Sequence, residues 1–82
     1  MDISHAFRFE GASFRIDMEL SVFPESFSFR GKAYRNGDLI GQVAGGGGRG
    51  AVERAHWTHQ ELRGSAVALA EEQVTMRRGI TW

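Results

Sequence analysis

The glycine-rich stretch VAGGGGRGAVERAHWTHQE, residues 43–61, contains the residue types that come nearest to a ligand-binding motif. Gly45, Gly47 and Gly50 match the G-x-G-x-x-G pattern of a dinucleotide-binding loop. Such a loop follows the first strand of a parallel βαβ unit, whereas the residues before this one favour antiparallel hairpins. Consecutive glycines also match any glycine pattern easily. We therefore interpret residues 45–50 as a flexible connecting loop and expect no nucleotide or other cofactor.

Two histidines follow the glycines. His56 and His59 lie at a spacing that would bring both imidazoles to one face of a continuous helix, as in some metal sites. However, Thr58 and Glu61 form the T-x-x-E pattern of a capping box, which places Thr58 before the first helical turn. The two histidines then need not share a face. Because the chain also has no cysteine, we expect no metal site.

The remaining polar residues show no nucleophile–base pair. The serines lie in no G-x-S-x-G elbow, and the adjacent Glu71 and Glu72 fall on a predicted helix surface. Asp17 and Glu19 share a polar strand face, but the sequence supplies no apolar pocket that would separate the pKa values of two carboxyls. We therefore expect no enzymatic activity.

The composition indicates one small globular domain, which we expect to span residues 1–82. Apolar residues make up 41% and aromatic residues 11% of the 82 positions, values typical of folded chains. Ten basic residues balance ten acidic ones, so no net field attracts nucleic acid or anionic membrane. The first residues alternate charged and apolar types, unlike a signal peptide or a membrane span. We expect a cytoplasmic protein without membrane association.

The segment ISHAFRFEGASFRIDMELSV predicts an antiparallel hairpin. Apolar and polar residues alternate with a period of two on both sides of the glycine, as they do in half-buried strands. A type II′ turn at Gly11-Ala12 suits glycine at its first central position. This turn pairs Phe9 with Phe14 and Arg8 with Arg15, and it places the apolar residues on one face.

A second hairpin is predicted around Asn36-Gly37, a dipeptide that readily takes two positive φ angles. Pro24 ends the preceding strand because proline cannot donate to a sheet ladder. The strands SFSFRGKAYR and DLIGQVAG then pair. A regular register gives two partly apolar faces: Phe27, Phe29, Ala33, Ile40 and Ala44 on one, and Arg30, Lys32, Tyr34, Leu39 and Val43 on the other. The second of these faces needs a cover, either the C-terminal segment or another subunit.

The capping box predicts one helix over residues 59–72, with Trp57 and Leu62 in the positions of a hydrophobic staple. The predicted apolar rows of this helix are Leu62, Ala66, Leu69 and Gln73, flanked by Val67, Ala70 and Val74. The segment VTMRRGITW fits either a final strand or an extension of the helix to Arg78, and we favour the strand. The predicted fold is α+β: an antiparallel sheet of four to six strands with one helix on its apolar face.

These features favour a non-catalytic module that binds a protein partner and self-associates, as a homodimer. The domain is too small for much catalytic architecture, and its strand edges are available for pairing. Adaptors and inhibitors, including those that phages and mobile elements encode, are small proteins of this kind. The predicted binding residues are an apolar patch of Tyr34, Leu39 and Val43 with Arg30, Arg35 and Arg49 at its rim.

Nucleic-acid binding is the alternative function. Single-strand binders hold phosphates with basic side chains and stack nucleobases on aromatic ones, both displayed on a sheet. The residues that would form such a surface here are Arg30, Lys32, Tyr34 and Arg35 on the second hairpin, Arg49 in the loop, and Arg77 and Arg78 near the end. The net charge of zero and the position of most phenylalanines on the predicted core face argue against it. Protein binding therefore remains the first interpretation.

Overall fold

Four antiparallel strands and one helix follow one another along the chain. The computed structural model describes residues 1–24, 26–48 and 59–82. The strands are β1 (Asp2–Phe9), β2 (Ala12–Val22), β3 (Ser26–Arg35) and β4 (Asp38–Gly48), and the helix is α1 (His59–Thr75). They form one sheet in the order β1-β2-β3-β4, so each strand pairs with the next along the chain. The predicted α+β architecture is confirmed, with four strands in the described residues.

The core lies between α1 and one face of the sheet. The helix contributes every fourth residue because side chains at i and i+4 lie on the same side of a helix, and the sheet contributes alternate residues of its strands. The buried apolar residues are Ile3, Ala12, Phe14, Ile16, Met18, Leu20, Phe27, Phe29, Ala33, Val43, Leu62, Ala66, Ala70, Val74 and Ile80. Helix packing on the apolar face of the sheet agrees with the prediction.

The first hairpin turns one residue earlier than predicted. Its central residues are Glu10 and Gly11, with φ angles of 50° and 77°, and two positive φ angles are the mark of a type I′ turn. Phe9 consequently lies opposite Ala12, and Arg8 lies opposite Ser13. The predicted turn at Gly11-Ala12 is therefore wrong. The pairing shifts by two residues, which preserves the faces, and it avoids placing two arginines opposite each other.

The second hairpin turns at Asn36-Gly37 as predicted, with φ angles of 50° and 89°. Its register then changes, because Tyr34 pairs with Leu39 whereas Ala33 pairs with Gly41. One extra residue in β4 produces this bulge. From Gly41 onward, the side chains of β4 therefore occupy the opposite faces from those that a regular register predicts.

The glycines Gly45–Gly48 belong to β4 and pair with the residues of β3 from Ser26 to Phe29. The prediction of a connecting loop over residues 45–50 is therefore wrong for these four residues. Residues 49 and 50 lie outside the described residues. A Cβ on Gly45 would lie 2.7 Å from the ring of Phe29, and a Cβ on Gly47 would lie 3.0 Å from the ring of Phe27. These glycines therefore give the phenylalanine rings room beneath α1.

Helix α1 begins at His59, as predicted, and continues to Thr75, beyond the predicted end at residue 72. The capping residue Thr58 lies outside the described residues. Leu69, which we predicted in the apolar row, is 37% exposed. No helix in the described part of the chain is long and apolar enough to cross a membrane.

The segment after α1 forms a single bridge and not the favoured final strand. Ile80 bridges to Gly41 of β4, and the Thr81 amide donates to the carbonyl of Ile40 at 3.0 Å. Ile80 is buried in the core. The sequence between α1 and this bridge turns through Arg77 and Gly79, both with positive φ, which explains why the alternating pattern does not continue as a strand.

The outer edge of β4 is also bonded by a side chain of α1. The amide of Gln73 donates from Nε2 to the carbonyl of Ala44 at 2.6 Å, and the Ala44 amide donates to Gln73 Oε1 at 3.1 Å. One side chain thus pairs with both outward backbone groups of an edge residue. Together with the bridge at Ile80, it shields this edge from a further strand.

Gln73→Met should lower the free energy of unfolding by about 1 kcal/mol, because it removes two hydrogen bonds from a partly exposed site. Urea denaturation measures the change. Gln60→Met is the matched control, since Gln60 is an exposed glutamine of the same helix, and it should leave stability nearly unchanged. Equal effects of the two substitutions would contradict a specific contribution of Gln73.

Candidate functional site

The face of the sheet turned away from α1, here called the open face, is covered by no other described element. It is formed by the strand residues that alternate with the core residues: Asp2, Ser4, Ala6 and Arg8 of β1, Ser13, Arg15, Asp17 and Glu19 of β2, Ser28, Arg30, Lys32 and Tyr34 of β3, and Leu39, Gln42 and Ala44 of β4. Most of these residues are exposed. In the part of the chain that the structure describes, the side chains of the open face are therefore available to a partner.

The centre of the open face is charge-balanced. Glu19 of β2 lies directly opposite Arg30 of β3, and Asp17 lies directly opposite Lys32. Opposite charges in directly opposed positions attract each other. These four side chains therefore present both signs of charge over a short distance, without a uniformly positive or negative field.

Tyr34 and Leu39 lie directly opposite each other toward one end of the open face. Leu39 is 59% exposed. The guanidinium of Arg15 lies 4.4 Å from the centroid of the Tyr34 ring, a cation–π distance, and it also forms an ion pair with Asp17 at 3.1 Å. The tyrosine is thus held in place, and an exposed leucine stands beside it.

Two depressions in the open face share Arg30, Gly31 and Lys32 in their walls. One extends across β2 toward β1, and the other extends toward Gln42 and Ala44 of β4. Small-molecule sites enclose most of their ligand, whereas both depressions are wide open to solvent and charged side chains of both signs lie at their margins. The surface is therefore better suited to a macromolecule than to a small ligand.

The structure brings three of the six predicted binding residues to the open face, Tyr34, Leu39 and Arg30. Val43 does not join them, because the bulge in β4 turns it inward and it is 1% exposed. The prediction that Val43 forms an exposed patch with Tyr34 and Leu39 is therefore wrong. Arg49 lies outside the described residues.

Arg35 lies on the helix side of the sheet, in a cluster around Trp82 that the sequence did not predict. The guanidiniums of Arg77 and Arg35 lie 4.0 and 5.6 Å from the centroid of the Trp82 ring. Trp82 Nε1 donates to the carbonyl of Val74 at 2.9 Å. The indole thus donates to a carbonyl in the last turn of α1 that also accepts from the Arg77 amide at 3.2 Å. The nearest signal in the sequence was the alternation of Ile80 and Trp82.

The histidine that the structure describes in full, His5, is paired with a helix residue. His5 Nε2 lies 3.0 Å from Glu71 Oε2, and its ring stacks on Phe7 with centroids 5.5 Å apart. Within residues 1–24, 26–48 and 59–82, no group of three histidine, aspartate or glutamate side chains is arranged to hold a metal ion. His56 and the side chain of His59 lie outside what the structure describes, so the pair itself is not tested.

Comparison of this chain with protein-family models, with curated proteins and with solved structures finds no match.

Proposed function

We propose that this chain is a non-catalytic protein-binding module whose partner contacts the open face. The observation that carries the proposal is the placement of Tyr34 and exposed Leu39 opposite each other, next to opposed strand residues of both charge signs. Protein interfaces typically combine an aromatic or apolar centre with a polar rim. Arg15 and Arg30 lie where such a rim would be. Adaptor and inhibitor are the roles that a small module of this kind would fill.

A nucleic acid fits the open face less well. Single-strand binders stack bases on several aromatic side chains along a positively charged groove. Among the described residues of the open face, Tyr34 is the one aromatic, and Arg15 lies over its ring. Asp17 and Glu19 would also repel phosphates at the centre of the surface. A protein with complementary charges is the better partner.

We also propose that the module acts in the cytoplasm. Because the chain contains no cysteine, folding does not depend on an oxidising compartment. Detection of the endogenous protein in cell fractions tests this location.

Leu39→Asp should weaken partner binding about tenfold or more, because it places a charge in the proposed apolar centre of the interface. The side chain is already more than half exposed, so the fold should persist. The partner is identified by native mass spectrometry of the untagged protein, purified gently from its own host. Titration calorimetry with the purified partner then compares the parent chain with the variant.

Met76→Asp is the matched control, because Met76 is a 60% exposed apolar residue outside the open face. Equal loss of binding in both variants, or none in Leu39→Asp, would contradict the proposal. Labelled oligonucleotides distinguish the alternative: nucleic-acid binding would fall steeply with salt and would be lost in a variant carrying Arg30→Glu and Lys32→Glu. That result would replace a protein partner with a nucleic acid.

A further inference from the structure

The outer edge of β1 has no strand paired to it in the described part of the chain. β1 is the terminal strand of the sheet, and it pairs with β2 in an unbroken register from Asp2 to Phe9. By contrast, Gln73 and Thr81 bond the opposite edge of the sheet, at β4. A regular, unbulged strand edge offers backbone donors and acceptors to a further strand.

The ladder with β2 determines which residues of β1 turn their backbone groups outward. Met1 and Leu20 exchange both backbone hydrogen bonds, at 3.0 and 2.8 Å. Because bonded pairs alternate along an antiparallel ladder, the odd-numbered residues of β1 bond to β2. The even-numbered residues therefore offer their N–H and C=O groups to the outer edge: Asp2, Ser4, Ala6 and Arg8.

The two ends of this edge carry complementary charges. Asp2 and Arg8 are exposed, and neither forms an ion pair with another described residue. Asp2 also lies directly opposite Glu19 on β2, a like-charged neighbour that costs stability. A cation placed on the outer side of Asp2 would offset this repulsion. The small, uncharged Ser4 and Ala6 lie between the two charges and leave the backbone accessible.

We propose that a second copy of this chain adds its own β1 to this edge in antiparallel orientation, with Asp2 of each copy opposite Arg8 of the other. Ser4 then lies opposite Ala6, and the two-fold axis passes between the two His5 residues. In this register every residue of β1 whose backbone groups point outward lies in a hydrogen-bonded pair with the second copy. The two-fold symmetry forms the Asp2–Arg8 pair twice. A shift by two residues in either direction loses both charge pairs. The dimer is one continuous eight-stranded sheet.

The helix side of the edge fits the same register. Phe7 is half-buried and stacks on Phe14 with ring centroids 5.3 Å apart. Ile3 of the second copy would lie opposite Phe7 and cover part of its exposed ring. The inference does not depend on the proposed function, because the β1 edge and the Tyr34–Leu39 pair are separate surfaces.

Charge reversal tests the pairing. Sedimentation equilibrium of the full chain measures the dimer dissociation constant, which Asp2→Arg and Arg8→Asp should each raise about tenfold by opposing like charges at both ends. An equimolar mixture of the two variants should restore dimerisation, because the mixed dimer again opposes unlike charges. Arg63→Asp, at an exposed position of α1, is the control and should leave the dimer unchanged.

A single cysteine tests the register, because the chain contains none. In the proposed register the two His5 residues form a non-hydrogen-bonded pair with Cα atoms about 4.5 Å apart, a distance that a disulfide spans. His5→Cys should therefore give a disulfide-linked dimer under mild oxidation. Ser4→Cys and Ala6→Cys should give little disulfide-linked dimer. In this register residue 4 of one copy lies opposite residue 6 of the other, so the two cysteines of either variant are not opposed.

Four outcomes would overturn the proposal, three of them in the experiments above. The first is a parent chain that sediments as a monomer throughout the concentration series. The second is a failure of the mixed charge-reversed variants to associate. The third is cross-linking of Ser4→Cys or Ala6→Cys in preference to His5→Cys. Leu39→Asp separates this proposal from the proposed function, since it should weaken partner binding while the chain still dimerises. A dimer that Leu39→Asp disrupts would also overturn the proposal, because it would place the interface at the Tyr34–Leu39 pair and not at the β1 edge.

Discussion

Gly31→Ala is expected to lower the free energy of unfolding by about 3 kcal/mol or more, the upper part of the range for overpacked sites. A Cβ on Gly31 would lie 2.5 Å from both Cα and Cβ of Met18 and would overlap the carbonyl oxygen of Asp17. Because Cα and the carbonyl oxygen are backbone atoms of β2, no change of rotamer relieves the overlap. β2 and β3 would have to separate at the centre of the sheet.

Gly64→Ala provides the control for this substitution. Gly64 is an exposed residue of α1, and a Cβ there would have nothing within 4 Å outside the helix itself. The same added methyl group should raise stability by about 0.8 kcal/mol, the difference in helix propensity between alanine and glycine. Urea denaturation of both variants measures the contrast. A Gly31→Ala chain as stable as the parent would show that the strands separate here without cost.

Trp82→Ala is expected to lower the free energy of unfolding by about 3 kcal/mol, as truncations of large aromatic residues do. The indole meets Phe14 and Phe9 edge to face, with ring centroids 5.1 and 6.0 Å apart. Substitution would also leave the Val74 carbonyl without its indole donor and remove the ring beneath the Arg77 guanidinium. This end of the core would then be open to water.

Trp82→Phe separates the contributions of the ring and the N–H donor. It keeps an aromatic ring against Phe9 and Phe14 but removes the donor to Val74, so the loss should be about 1 kcal/mol. Thermal unfolding followed by circular dichroism measures both variants. If Trp82→Ala unfolded at the same temperature as the parent, Trp82 would have no part in closing the core.

The hairpins could be predicted because their signals are local. Alternation with a period of two marks the strands, and Asn36-Gly37 marks the second turn by its tolerance of positive φ. The first turn was displaced by one residue because Gly11 suits either of two turn types, and the choice depends on the pairing of residues such as Arg8. The helix start was predictable for the same local reason, from the T-x-x-E pattern before Leu62.

The composition of the candidate site was less predictable, because it depends on one bulge. An extra residue after Leu39 inverts the faces of β4 and moves Val43 into the core. The inversion places Gly41 against Ile80, and that contact joins positions distant in the sequence. Tyr34 and Leu39 precede the bulge and were placed correctly together, whereas the partners of Trp82 converge from β1, β2, β3 and α1 and leave no periodic signal.

The order of the strands also determines how the chain folds. Because each strand pairs with its neighbour along the chain, the sheet has a low contact order and can assemble rapidly. Helix α1 packs on the sheet through contacts between residues distant in the sequence, such as that between His5 and Glu71, which are 66 residues apart. We therefore expect the phenylalanine-bearing face of the sheet to form before α1 covers it. Aggregation of refolding chains should accordingly depend on the rate at which α1 docks, and not on the rate of strand pairing.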